Sequence, residues 1–289
     1  MHFSPRFFAS IVVLLALNLA GCGPTGVLNA LAESETSRRV IGVAYGPDPR
    51  QRLDVYVPRN GPGPHPVVLF FFGGSWNSGD RGDYRFVGEA LAARGNLVVI
   101  ADYRLYPQVR YPAFLEDAAG AARWTIDNLP AYGGDPKRLY VMGHSAGAYN
   151  AAMLALDSRW LLQVGASPKV FAGFIGLAGP YDFLPIDVPE VKPVFFYPNS
   201  PADSQPIIYA TAKSPRAFLG APETDNLVDP ERNTHQLAQK LSANGVPVVY
   251  KRYSRVNHVT LIATLSRPLR WLAPVLDDIV TFIAADGRS

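Results

Sequence analysis

A chain of 289 residues, 48% hydrophobic and 18% charged, can bury most of its surface on folding, which excludes disorder for the bulk of it. Its 27 basic and 24 acidic side chains leave a net charge of +3 with no Lys/Arg-rich block, so it carries no electrostatic footprint for nucleic acid. A single cysteine excludes a disulfide framework and a cysteine-based metal cage.

His2 and Arg6 precede an apolar run from Phe7 to Ala20, which has the length of a signal-peptide core and is short for a membrane span. The run ends Leu19-Ala20-Gly21-Cys22, and this tetrapeptide resembles the lipobox of bacterial lipoproteins. The resemblance implies that residues 1–21 are a lipoprotein signal peptide and that Cys22 is the lipidation site. The body would then lie in the periplasm, anchored to a membrane, and Gly23 at the next position points to the outer membrane rather than the inner. An ordinary signal peptide with a chance cysteine, or an uncleaved anchor, is the alternative. Residues 22–38, rich in small and polar types, read as a flexible tether. The domain proper is expected over 39–289, with no repeats and no second domain.

From residue 40 two kinds of segment alternate. Arg39–Val43 and Arg52–Val57 form an opening antiparallel pair. Continuous apolar runs at Val67–Phe72, Leu97–Ala101, Leu139–Met142 and Phe171–Leu177 read as strands buried on both faces. Between them Phe86, Val87, Ala90 and Leu91 repeat at helical spacing up to Gly95, and Pro112 opens a helix carrying Phe114, Leu115, Ala118, Ala122 and Ile126. Residues 180–213, rich in proline and without period, read as an irregular lid over one end of the sheet. Asp229-Pro230 starts another helix, and a last one is expected from Leu269 to Ala284. This alternation predicts a mostly parallel central sheet with helices on both faces.

Chemistry concentrates at three places. The first is Gly143-His144-Ser145-Ala146-Gly147, between a strand and an alanine-rich helix. A serine on such a turn exposes its hydroxyl above the sheet, and the flanking glycines avoid clashes there. The second is Phe72-Gly73-Gly74-Ser75-Trp76, whose glycines let backbone N–H groups point at an oxyanion. The third is a general base, which a serine nucleophile requires. His2 lies in the leader, His65 in a proline-rich turn, His144 beside the serine but directed away from it, and His235 on an outer helix. His258, in a loop after the strand Pro247–Tyr253, is the histidine left.

The Gly-Gly-Ser-Trp loop resembles the His-Gly-Gly-x-Trp and His-Gly-Gly-Gly loops of esterases related to hormone-sensitive lipase, bacterial feruloyl-esterase-like enzymes and kynurenine formamidases. Asp102-Tyr103-Arg104-Leu105 and Tyr132-Gly133-Gly134-Asp135-Pro136 strengthen the likeness, which covers about 50 to 280. It implies an α/β-hydrolase fold and a serine hydrolase that cleaves carboxylic esters through an acyl-enzyme. The order Ser, acid, His of that fold agrees with His258 as base. The oxyanion hole would be the amides of Gly74, Ser75 and Ala146. Phe72 stands where the family usually has histidine, which leaves the stiffness of that loop open. Asp102 and Arg104 read as structural, an ion pair bracing the loops behind the site, and Asp117 and Asp135 read as structural too.

The acid must lie between Ser145 and His258, after a strand placed at Arg216–Leu219. Glu223, Asp225 and Asp229 are available there; Asp229 reads as a helix N-cap and Glu223 as a turn residue. Asp225-Asn226-Leu227-Val228 resembles the Asp-x-x-Val of related esterases, so Asp225 is preferred, with Asp203 and Asp182 as fallbacks. Trp76, Phe183, Phe195, Phe196 and Tyr197 are pocket candidates, Trp76, Phe183 and Phe196 above all. No cofactor or metal is expected, and the partners expected are a small-molecule ester and a membrane. An arylformamidase-like amide hydrolase, or a non-catalytic lipid-anchored binding protein on the same fold, is the competing reading.

Overall fold

The computed structural model describes residues 24–32 and 36–285. The signal-peptide stretch, and Cys22 with it, lies outside the described residues.

Eight strands build one sheet: β1 (Ser37–Ala44), β2 (Arg52–Pro58), β3 (His65–Phe71), β4 (Leu97–Ala101), β5 (Gly134–His144), β6 (Phe171–Leu177), β7 (Ala217–Pro222) and β8 (Val248–Tyr253). Their order is β1-β2-β4-β3-β5-β6-β7-β8. β2 runs antiparallel to β1 and β4, and all other pairs are parallel. The continuous apolar runs of β3 and β4 lie in mid-sheet with nearly every residue buried, as a strand covered on both faces requires. β1, at the edge, is mostly exposed.

The helices are α1 (Pro24–Ala30), α2 (Arg85–Ala92), α3 (Ala113–Asn128), α4 (Ala146–Leu156), α5 (Ser158–Gln163), α6 (Gln236–Ala243, entered through a π-helical turn over Glu231–His235), α7 (His258–Ala263) and α8 (Val275–Ala284). None of the described helices is long and apolar enough to cross a membrane. α4 packs between β5, β6 and α3, and ten of its residues, Ala146 to Ala155, are buried. Its alanines let it lie close against the sheet, which holds its N-terminus at the ends of β3 and β5.

Three expectations need correction. Part of the stretch read as a flexible tether is helix α1, fastened by Asn29, whose amide donates to the Gly82 carbonyl at 2.7 Å and accepts from the Phe86 amide at 3.0 Å. The last helix is split: a short 3-10 turn covers Arg267–Leu272 and α8 begins at Val275, because Pro274 has no N–H to continue a helix. Asp102 and Arg104 do not pair with each other. Asp102 takes the Arg81 guanidinium and amide, whereas Arg104 is held by Asp117.

Asp117, 1% exposed, accepts from the Arg104 guanidinium at 2.7 Å, the Arg104 amide at 2.8 Å and the Gln51 side chain at 2.8 Å. Removing it strands a half-buried cation and two further donors. Asp117→Ala should therefore cost about 3 kcal/mol of stability. A urea titration checks this: the midpoint should fall at unchanged slope, and an unmoved midpoint would show that Arg104 re-solvates freely.

Candidate active site

The turn from β5 into α4 carries Ser145 at φ 55°, ψ −124°, a left-handed conformation unusual for a residue with a Cβ. Its amide donates to the Leu177 carbonyl of β6 at 2.9 Å. The flanking glycines are sterically required. A Cβ on Gly143 would lie 2.1 Å from the Gly147 carbonyl oxygen, and one on Gly147 would lie 2.0 Å from the Phe71 oxygen. Glycine at both positions is what allows helix and strand to meet closely enough to push the serine out.

His258 is the first residue of α7 rather than part of a loop. Asn257 caps that helix, accepting from the Val259 and Thr260 amides at 3.1 and 2.9 Å, while the Thr260 hydroxyl accepts from the Asn257 amide at 2.8 Å. The cap fixes where the imidazole starts. Its Nε2 lies 2.8 Å from Ser145 Oγ and its Nδ1 2.7 Å from Asp225 Oδ2. A carboxylate can only accept, so Nδ1 carries the proton and Nε2 offers its lone pair to the serine hydroxyl.

Asp225 sits in the loop after β7 with its side chain fully buried. Its other oxygen accepts from the Leu227 and Val228 amides at 2.8 and 3.1 Å, which fixes the carboxylate against rotation. Burial pushes this carboxyl upward, but the His258 hydrogen bond and charge and the two amides outweigh burial and hold it below its ordinary value. The other acids are engaged elsewhere. Asp229 accepts from the Glu231 amide at 2.8 Å, Asp203 pairs with Arg159 at 2.7 Å, Asp182 lies 3.7 Å from Arg232, and Glu223 is exposed.

The loop after β3 passes directly over Ser145: a Cβ on Gly73 would lie 2.9 Å from the serine Cβ. Gly74, Ser75 and Trp76 follow with φ of +126°, 50° and 57°, so the chain turns back on itself, and the amides of Asn77 and Ser78 close the turn on the Gly74 carbonyl at 3.0 and 3.1 Å. Phe72, in the family histidine's place, is held by other means. Its ring stacks on Tyr103 and Tyr84, with centroids 4.8 and 5.7 Å apart, and its carbonyl accepts from the Tyr103 hydroxyl at 2.8 Å. At the far end the Trp76 indole donates to Asn150 of α4 at 3.1 Å, and the Trp76 carbonyl accepts from the Tyr106 amide at 2.8 Å.

A cavity of about 340 Å³ opens on Ser145 and His258. Trp76, Phe183, Ile186, Val188 and Val191 give it an apolar wall beside the serine, while Asp182, Asp187, Glu190, Asp229 and Arg232 make another part of its lining charged. Phe196 does not line it. That ring is 42% exposed and lies 5.4 Å from the Arg110 guanidinium, while its neighbour Phe195 is buried behind Trp76 at 4.8 Å, because adjacent residues in a tight turn point opposite ways. Ile186 and Val188 went unseen in the sequence, since an irregular segment has no period to say which side faces in, and Asn150 of α4 went unseen because its partner Trp76 is 74 residues away. Among the described residues no group of three or more His, Cys, Asp or Glu is placed to hold a metal ion.

A backbone collision cannot relax as a flexible side chain can. Gly147→Ala should therefore lose more than about 4 kcal/mol or fail to accumulate as folded protein. Its thermal melt decides: a wild-type midpoint would mean that α4 does not approach β3 this closely.

A model of the BD-FAE family matches residues 53–241. The chain is 29% identical over 270 residues to a probable isoprenylcysteine alpha-carbonyl methylesterase of Arabidopsis thaliana, covering 85% of this chain and 56% of that protein. It is 32% identical over 269 residues to a protein of the same description from Oryza sativa subsp. japonica, covering 85% and 62%. The chain thus spans between about half and three fifths of these curated relatives. Among solved structures, a hyperthermophilic esterase from the archaeon Pyrobaculum calidifontis superposes with a TM-score of 0.74 at 26% identity, covering 92% of this chain and 91% of that one.

Proposed function

The chain belongs to the BD-FAE family, an α/β-hydrolase esterase family, and on that premise we propose that it hydrolyses carboxylic esters through an acyl-enzyme formed on Ser145. The observation that carries this reading is the pair of hydrogen bonds, 2.8 and 2.7 Å, that links Ser145 to His258 and His258 to Asp225 at the mouth of a cavity with one apolar wall.

His258 Nε2 takes the Ser145 proton as Oγ attacks the ester carbonyl, and Asp225 holds the tautomer and stabilises the imidazolium. The amides of Gly74, Ser75 and Ala146 receive the negative charge on the carbonyl oxygen. The imidazolium then returns its proton to the leaving alcohol, and water repeats the sequence to release the acid. The apolar wall suits an ester with an uncharged acyl or alcohol part. The relatives' description as methylesterases makes small alcohols a first choice for assay.

Ser145→Ala should abolish labelling by a fluorophosphonate probe and lower turnover of p-nitrophenyl esters by several orders of magnitude, since triad members act as a unit. Asp225→Asn keeps the geometry but favours the wrong tautomer, and should cost on the order of 10⁴ in kcat. Asp229→Asn should cost little, as asparagine also caps helices. N-formyl anilides assayed alongside measure amide cleavage. Undiminished ester hydrolysis by Ser145→Ala would overturn the assignment.

The same proposal includes the address. Cys22, following Leu19-Ala20-Gly21, would carry the lipid that holds the domain at a membrane facing the periplasm. Two or more acyl chains anchor stably where one does not. Labelled palmitate should enter the wild type in a bacterial host and not Cys22→Ala, which should leave the membrane fraction. Equal labelling of both would refute the anchor.

A further inference from the structure

His144 precedes the nucleophile, and the reaction as described makes no use of it. Its ring is buried and its Nε2 lies 2.9 Å from the backbone carbonyl of His258. A carbonyl only accepts, so Nε2 carries the proton. Its Nδ1 is buried without a hydrogen-bond partner, and a Cβ on Gly73 of the loop above would lie 3.2 Å from it. A buried unpaired nitrogen is unfavourable, and an apolar side chain of similar size would avoid it, so the other nitrogen must do something that such a side chain cannot.

We propose that His144 is a positioning residue: its Nε2–H, fixed on the His258 carbonyl, ties the backbone of the base to the residue that immediately precedes Ser145. The proposal rests on the triad reading above. Ser145 and His258 come from elements 113 residues apart in the chain, and the Oγ–Nε2 contact of 2.8 Å is given up once Oγ is acylated. The His144 link joins His258 to the residue next to Ser145 and does not involve Oγ, so it persists throughout turnover. It keeps Nε2 in line with Oγ when the serine is acylated.

The ring must also stay uncharged, because its centroid is 5.1 Å from that of His258, which becomes a cation during the attack. Burial first, and then the neighbouring His258 charge, push His144 from 6.5 down to about 3, against the opposing effects of its backbone bond and Asp225. His258 and Asp225 are the charged groups that act on it, and the Gly73 backbone passes close by. A group whose value is lower in the folded chain than in the unfolded one binds more protons when unfolded. Stability from this source is therefore complete above pH 6.5 and declines as pH falls toward 3.

The test compares His144→Gln, which keeps a side-chain N–H at similar reach, with His144→Leu, which fills the space without a donor. In the full chain, His144→Leu should lose about 10- to 100-fold in kcat on a p-nitrophenyl ester with KM unchanged, the scale of a small misplacement. His144→Gln should recover most of it, and its acid limb of kcat/KM should coincide with the wild type's. His144→Gln should also melt with less pH dependence than the wild type between pH 6.5 and 5. Wild-type kcat in His144→Leu, a folded His144→Gln with the activity lost, or an unchanged melting profile overturns the proposal. Should His144→Leu not fold, the His144→Gln readings decide alone. A wild type that takes no fluorophosphonate label and cleaves no ester overturns the triad reading, and this one with it.

Discussion

Everything at the site depends on how closely α4 approaches the ends of β3 and β5. The approach puts Gly147 where no Cβ could fit beside the Phe71 carbonyl, and Gly143 where none could fit beside Gly147. Between these contacts Ser145 is held at a positive φ that it would not adopt in a free peptide. The strain is offset by a buried helix and a sheet closed on both sides. Large apolar surfaces keep the hydroxyl aimed upward, not any bond that the hydroxyl makes.

The partners come to the serine along separate routes, and each is fixed by local hydrogen bonding before it arrives. Asn257 caps α7 and sets the origin of the His258 side chain, whereas two amides of its own loop orient Asp225. Such caps and turns need no contact with the serine, so the geometry is largely prepared before substrate enters. That preparation is what electrostatic stabilisation of a transition state requires.

The loop over the serine is held by contacts of its own. Phe72 cannot hydrogen-bond as a histidine would, yet its ring lies between Tyr84 and Tyr103 and its carbonyl is held by Tyr103. The far end is pinned by the Trp76 indole on Asn150, a residue of the nucleophile's own helix. Loop and nucleophile therefore share one rigid support. Trp76 has a second role, since its ring with Phe183 forms the apolar wall of the cavity.

Residues whose role is written in local pattern were legible from the chain alone. The apolar runs of β3, β4 and β6 required burial on both faces, and Gly143 to Gly147 announced a sharp turn, for which the clash that requires Gly143 lies within the motif while the one that requires Gly147 comes from Phe71. Asp229 was readable as a cap for the same reason: its partners are two and three residues away. Tertiary structure decided what depends on distant partners. It brought Asp225 and His258, 33 residues apart, to 2.7 Å, turned Phe195 inward and Phe196 outward, and put Arg104 on Asp117 rather than on Asp102. It also placed His144 under the His258 carbonyl, 114 residues away. The physical reason is the range of the interaction: steric and capping preferences act over a few residues and leave a periodic or motif-like trace. A hydrogen bond or cavity wall made by remote segments leaves none until the sheet has brought them together.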